Sequence, residues 1–358
     1  MKNNVYFKYL KPASIELLYA GLSILVALII GAFFILFTET SPLVAYQRMF
    51  EGAFSGNNIY ATLFRSTPLI LTGLAVAFAF RSGLFNIGAE GQYLIGAFTA
   101  AWAGFYFTNL PRIIHLPLVL ILAIIAGGLW ASIAGFLKAK LGANEVINTI
   151  MLNYIAIYLT ISYGIRAVNE QPGQPGTPFI LSTARIGNLG EIMNVPAIRV
   201  HGGFIIALLA ALFMWYFMWK TKSGYEIRAV GLNSHAAEYG GVNVAKNVIL
   251  AMFISGALAG LAGAGEVLGT HSRFIQGMNA GHGFTGIAVA LVGNNNPFAV
   301  VLSGLLFGAL SQGGFAMGRV GVPRDIVTII QALVIFSIAI SQVIRTHLAK
   351  KRAKEAAK

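Results

Sequence analysis

Apolar runs, most of them close to the length that crosses a bilayer, follow one another along this chain from Leu17 to Ile344. They are Leu17–Phe37, Ala61–Phe80, Leu84–Phe107, Ile113–Leu137, Val146–Gly164, Gly203–Trp219, Val248–Leu268, Phe284–Val292, Pro297–Phe315 and Ile326–Ile344. Backbone polar groups in hydrocarbon must be satisfied internally, and a helix does this within one segment. The expected fold class is therefore all-α, a polytopic integral membrane protein of about ten transmembrane helices.

Composition then narrows function. Only 10% of residues are charged and mean hydropathy is +0.73, whereas soluble domains carry about 25% charged residues. The absence of cysteine removes disulfides, thiol nucleophiles and thiolate metal sites. One of the twelve acidic residues is an aspartate, Asp325, so paired carboxylates for acid–base or two-metal chemistry are scarce. The six histidines, His115, His201, His235, His271, His282 and His347, lack metal-ligand spacing and read as loop or flanking residues. No phosphate loop, His-Glu-x-x-His or Gly-x-Ser-x-Gly signature occurs. The chain reads as a non-enzyme that binds no cofactor and no metal.

The formal net charge is +13. No basic stripe interleaves with stacking aromatics, so nucleic acid is set aside as a partner and the charge is assigned to topology. With the amino terminus in the cytoplasm, ten crossings return the carboxyl terminus there. Every lysine then falls inside and every outer basic residue is an arginine. A leader at 1–16 and a basic tail at 345–358 flank a membrane domain at 17–344. The first run is longer than a signal-peptide core and lacks an Ala-x-Ala cleavage site, so it is expected to stay as a helix. An outer loop at 166–202 holds the proline- and glycine-rich Gln171–Pro178, and a polar inner loop occupies 220–247.

The inner loop carries helix punctuation: Asn233 or Ser234 as cap, His235 to Tyr239 as a short helix, Gly240-Gly241 as stop. Small Ala236 and Ala237 would let another surface approach, so the loop reads as a helix offered to a cytoplasmic partner. Within the spans, polar residues are costly and point to function. Leu84-Phe-Asn-Ile-Gly-Ala-Glu-Gly-Gln-Tyr93 places Asn86, Glu90 and Gln92 among glycines, with Asn86 and Glu90 on one helical face. Either this is a broken segment lining a pathway, or Glu90 pairs with Arg65 or Arg81 as internal glue. The amides Asn144, Asn148 and Asn153 fit a hydroxylated, uncharged substrate or, equally, helix-to-helix hydrogen bonds. Asn294-Asn295-Asn296 reads as a tight turn, and Gly256-x-x-x-Gly260 and Gly304-x-x-x-Gly308 as close helix contacts. Thr72 to Phe78 and Thr285 to Leu291 share five identities in seven positions, an internal echo of one sense.

Four stretches carry a family resemblance: Gly83-Leu-Phe-Asn-Ile-Gly-Ala-Glu-Gly-Gln92, Asn144-Glu-Val-Ile-Asn-Thr-Ile-Met-Leu-Asn-Tyr-Ile155, Ala229-Val-Gly-Leu-Asn-Ser-His-Ala-Ala-Glu-Tyr-Gly-Gly241 and Gly286-Ile-Ala-Val-Ala-Leu-Val-Gly293. They resemble the permease subunits of bacterial ABC importers in the branched-chain amino acid, ribose and nucleoside group, over roughly residues 15 to 345. Within that group, the pairing of the first two stretches is most similar to the nucleoside-type permeases. The resemblance implies a plasma-membrane importer half working with a second related permease chain, a separate ATPase that uses the ATP, and an extracytoplasmic substrate-binding lipoprotein. It further implies that Gly231, Asn233, Ala236, Ala237, Glu238 and Gly241 dock into the ATPase. By the same analogy the third-span motif lines or braces the translocation path, with Asn86, Glu90, Gln92, Asn148 and Asn153 as candidates. The alternatives are a permease for a simple sugar such as ribose and an ion-coupled secondary transporter with Glu90 as its carboxylate.

Overall fold

The computed structural model describes residues 21–168, 176–188, 190, 200, 202–278 and 281–356. The leader at 1–16, most of Gln171–Pro178, and His201 lie outside them. The first helix, α1, is described over Gly21–Ile35. It is followed by α2 (Pro42–Phe54), α3 (Asn58–Arg81), α4 (Ala89–Tyr106), α5 (Arg112–Leu141) and α6 (Glu145–Ile157), which runs on through a π-helical stretch, Tyr158–Ile165. Then come α7 (Gly203–Lys220), α8 (Lys222–Leu232), α9 (Ser234–Tyr239) and α10 (Val244–Glu266), which ends in a second π-helical turn, Val267–His271. The chain closes with α11 (His282–Val292), α12 (Pro297–Gly318) and α13 (Arg324–Ala356). An isolated antiparallel bridge pairs Gly176 with Ile275.

Among the described residues six helical stretches are long and apolar enough to cross a membrane: Asn58–Arg81, Arg112–Leu141, Glu145–Val168, Gly203–Lys220, Val244–His271 and Pro297–Gly318. The other four expected segments fall on α1, α4, α11 and α13. Helix α2 is not foreshadowed by an apolar run. Its 13 residues are too few to span, and Pro42 at its first turn starts it without needing an amide donor.

The chain forms two compact units. In the larger, Ile59–Ala309, the apolar windows of α3 and α10 are 78% buried, against 22% to 33% for α5, α6 and α7. The outer helices show apolar side chains outward: Ile121, Ile125, Leu129 and Ile133 form a stripe four residues apart along α5. Such a surface suits lipid and not water. Helix α10 packs most extensively on α5, then on α4. A Cβ added to Gly127 would lie 2.5 Å from the Gly256 carbonyl oxygen and 2.8 Å from Gly260 Cα, so only glycine permits this backbone approach. The internal echo also acquires a place, because Gly73 faces Val289 while Gly286 faces Thr72, putting the two copies side by side.

The smaller unit holds α1, α2, the end of α12 and α13. Ile35, Ala45, Met317, Val322, Val327 and Ile330 form its core. Tyr46 of α2 donates to the Leu28 carbonyl of α1 at 2.5 Å, and burial pushes its phenol up to about 12.

Candidate functional site

The site is built around the entry to α4. Helix α3 ends at Arg81, the chain turns through Gly83 at φ +73°, and helix resumes only at Ala89. Asn86 therefore sits in a non-helical lead-in, not on a helical face with Glu90 as the spacing predicted. Gly83, Asn86 and Gly88 in six residues delay the helix, since both residue types favour turn conformations over helix interiors.

Polar side chains in this lead-in close on one another. The fully buried Asn86 donates from Nδ2 to Gln92 Oε1 at 2.9 Å and to Ser255 Oγ of α10 at 2.8 Å. Its Oδ1 accepts from Gln92 Nε2 and from the Gly88 amide, both at 2.9 Å. Ser255 donates in turn to the Ala75 carbonyl of α3. From α6, Asn153 Oδ1 accepts from the Gly91 amide at 2.8 Å, and its Nδ2 donates to the Ile87 carbonyl at 2.9 Å. The first four amides of a helix have no partner inside it, so Asn153 caps α4 from a neighbouring helix.

Glu90 performs the same service for α11. Its buried carboxylate accepts from the Gly283 amide at 2.6 Å, at the end of a helix where negative charge is favoured. Thr72, beyond the midpoint of α3, donates to the His282 carbonyl at 3.0 Å and fixes the same end. Two helix starts, those of α4 and α11, are thus held within the bundle by side chains from other elements. Arg81, one of the two partners considered for Glu90, donates to the carbonyls of Asn295 and Asn294 at 3.0 and 3.3 Å.

Four of the five path candidates, Asn86, Glu90, Gln92 and Asn153, gather around the start of α4. The Asn86, Gln92 and Asn153 amides are engaged within the chain, an arrangement that braces backbone. Asn148 is half-buried on α6, with its Nδ2 lacking a partner among the described residues. Thr72 and Ser255 join the network but carry no local signal, being hydroxyls in apolar helices.

Loop 220–247 folds as α8 and α9. Thr221 caps α8 by accepting from the Gly224 amide at 3.1 Å, and Asn233 caps α9 by accepting from the Ala236 amide at 3.0 Å. Asn233, Ala236 and Glu238 are exposed, Gly241 follows with φ +81°, and Tyr239 is 99% exposed. Ala237 differs: it is buried, and so supports α9 from beneath and does not face outward. Gly231, near the end of α8, lies on the turn after α3, where an added Cβ would come 2.6 Å from the Arg81 carbonyl oxygen. Arg81 and Arg228 both stand over the Trp219 ring, at 5.6 and 5.8 Å. The loop is thereby joined to Arg81, and through it to the turn of Asn294 and Asn295 and to the lead-in of α4.

Described parts of loop 166–202 are anchored. Thr177 and Ile186 donate backbone hydrogen bonds to the Phe274 and Leu268 carbonyls. The fully buried His115 contacts Thr183 Oγ1 at 2.8 Å and the Ala103 carbonyl at 3.2 Å, a structural placement.

Comparison with known proteins accords with this architecture. The family model described as branched-chain amino acid transport system / permease component matches residues 58–339. The guanosine ABC transporter permease protein NupP of Bacillus subtilis is 44% identical over 345 residues, covering 95% of this chain and 98% of that protein. The nucleoside ABC transporter permease protein NupB of Lactococcus lactis is 36% identical, covering 93% of each chain. The glucose ABC transporter permease protein TsgB13 of Haloferax volcanii is 35% identical, covering 91% of this chain and 88% of that one. No solved structure gives a significant match. On a family match across most of its length and on these identities, the chain belongs to the permease components of the branched-chain amino acid transport system family.

Proposed function

We propose that this chain is the membrane-spanning subunit of an ABC importer that carries a nucleoside across the bacterial plasma membrane. The observation that carries the proposal is the 44% identity, over nearly the whole of both chains, to a guanosine permease. In this reading the chain crosses the membrane about ten times with both termini in the cytoplasm. It works beside a second related permease, a separate ATPase and an extracytoplasmic binding lipoprotein, and binds no cofactor itself.

Loop geometry supports the division of labour. Exposed Asn233, Ala236, Glu238 and Tyr239 offer α9 to the ATPase, while Gly231, Trp219 and Arg228 tie the loop to Arg81. ATP binding, by drawing such loops together, would displace the turn after α3 and with it the lead-in of α4. Alternating access then amounts to two packed states whose balance ATP shifts.

A sugar cargo has one observation in its favour, the 35% identity to a glucose permease. Uptake of labelled guanosine, ribose and glucose, in cells with and without this chain and with and without ATP depletion, separates the readings. Loss of ATP-dependent guanosine uptake alone is expected. Loss of sugar uptake alone would replace the substrate, and uptake that survives ATP depletion but collapses with the proton gradient would replace the class.

A further inference from the structure

Beside the saturated network lies a second polar group that is not saturated. Tyr93, one turn into α4, is fully buried, and its hydroxyl has no hydrogen-bond partner among the described residues. Its ring stands 5.9 Å from that of His282, the first residue of α11, with the planes at 58°. The Thr270 hydroxyl, in the π-helical turn that ends α10, is also buried without a partner. Glu266, at the last helical position of α10, pairs with His271 of that turn at 3.5 Å. Tyr93 of α4 and His282 of α11 thus meet ring to ring, and the π-helical turn that carries Thr270 and the Glu266–His271 pair packs on α4.

Three features distinguish this place from ordinary bracing. Burying a hydroxyl without a partner is costly, and here two are buried while the amides a turn away are engaged. The π-helical turn re-aims Thr270 and His271, and such single turns recur at functional sites. The start of α11 also lies against Tyr93 inside the bundle, and helix ends within the membrane are where transporters build substrate sites.

We propose that Tyr93, Glu266, Thr270 and His282 form a cargo-contact site for an uncharged, polyhydroxylated ligand with a planar ring, the chemistry of a nucleoside. The inference rests on the importer reading above and deepens it. The two hydroxyls and the imidazole supply hydrogen bonds to ligand hydroxyls and ring nitrogens, and Glu266 accepts from a ligand hydroxyl. The rings of Tyr93 and His282 offer apolar faces to the base.

The test uses the complete transporter in proteoliposomes, with labelled guanosine and its 2′-, 3′- and 5′-deoxy analogues as probes. Tyr93→Phe and Thr270→Val each remove a hydroxyl that the fold does not use, so melting temperature should hold or rise. Guanosine uptake should fall about tenfold, the equivalent of one ligand hydrogen bond. Each variant should also lose the preference for guanosine over one particular deoxy analogue, as a cycle between side chain and ligand requires. Two outcomes overturn the site: wild-type uptake in both variants, or uptake and melting temperature falling together with analogue preference intact. If the wild-type complex shows no ATP-dependent guanosine uptake, the nucleoside reading fails and the site falls with it; uptake by wild type with indifferent variants sinks the site alone.

Discussion

The start of α4 and the loop bearing α9 use the same residue types in opposite ways. Around α4, Asn86, Gln92, Asn153 and Ser255 turn their hydrogen bonds back into the chain, joining α3, α4, α6 and α10. On α9, Asn233 serves only its own helix, and Leu232 and Tyr239 stay exposed. The first arrangement fixes where helices begin; the second fixes one short helix and leaves its outer face exposed. Under the proposed function, the first would be the bundle that moves and the second the handle by which an ATPase moves it.

The sharpest test of this contrast is Asn86→Leu. It strands the Gly88 amide, the Gln92 amide group and Ser255, and at about 1–3 kcal/mol for each buried group the loss should exceed about 3 kcal/mol. The variant should fail to run as a monodisperse species in size-exclusion chromatography after detergent extraction; parental behaviour would break the comparison. Gly231→Val drives a side chain into the Arg81 carbonyl, an overpacking worth about 1–3 kcal/mol. Here the folded chain should persist, and the reconstituted complex should hydrolyse ATP without moving cargo.

Asn153→Ala removes the cap on α4 and the hydrogen bond to the Ile87 carbonyl, so thermal unfolding in detergent should register a loss of about 1–3 kcal/mol. Tyr239→Ala should change stability by less than about 0.5 kcal/mol, as exposed positions do, while weakening co-purification of the ATPase. Should Tyr239→Ala unfold the chain, α9 is part of the packed bundle after all and the contrast dissolves.

What the sequence revealed follows the range of the interactions concerned. Apolar runs announce helices: each of the ten expected segments meets one, and among the described residues six helical stretches are long and apolar enough to cross a membrane. The Asn233 cap and the turn at Asn294 to Asn296, where Asn294 and Asn295 take positive φ, were legible because each is decided by near neighbours. Helix α2 was hidden because 13 residues of mixed character carry no span signal. The role of Asn86 was hidden differently: it depends on Ser255, 169 residues away, and no local pattern encodes such a meeting. Likewise, helical spacing put Asn86 and Glu90 on one face because nothing in the periodicity marks a helix that starts late. Ala237 looked like docking surface because its small size fits either side of a helix, and only the packing of α9 decides.

Borrowed caps have a consequence in time. The Gly91 amide waits for Asn153, 62 residues further along, and Glu90 meets its amide on α11 only after 193 more residues have been made. While the ribosome is still at work, the head of α4 is an uncapped helix start with a carboxylate and two amides and no native company. An early-synthesised segment is thus expected to be a late one to settle, and the interval is when membrane chaperones and proteases have their best opportunity to judge the chain.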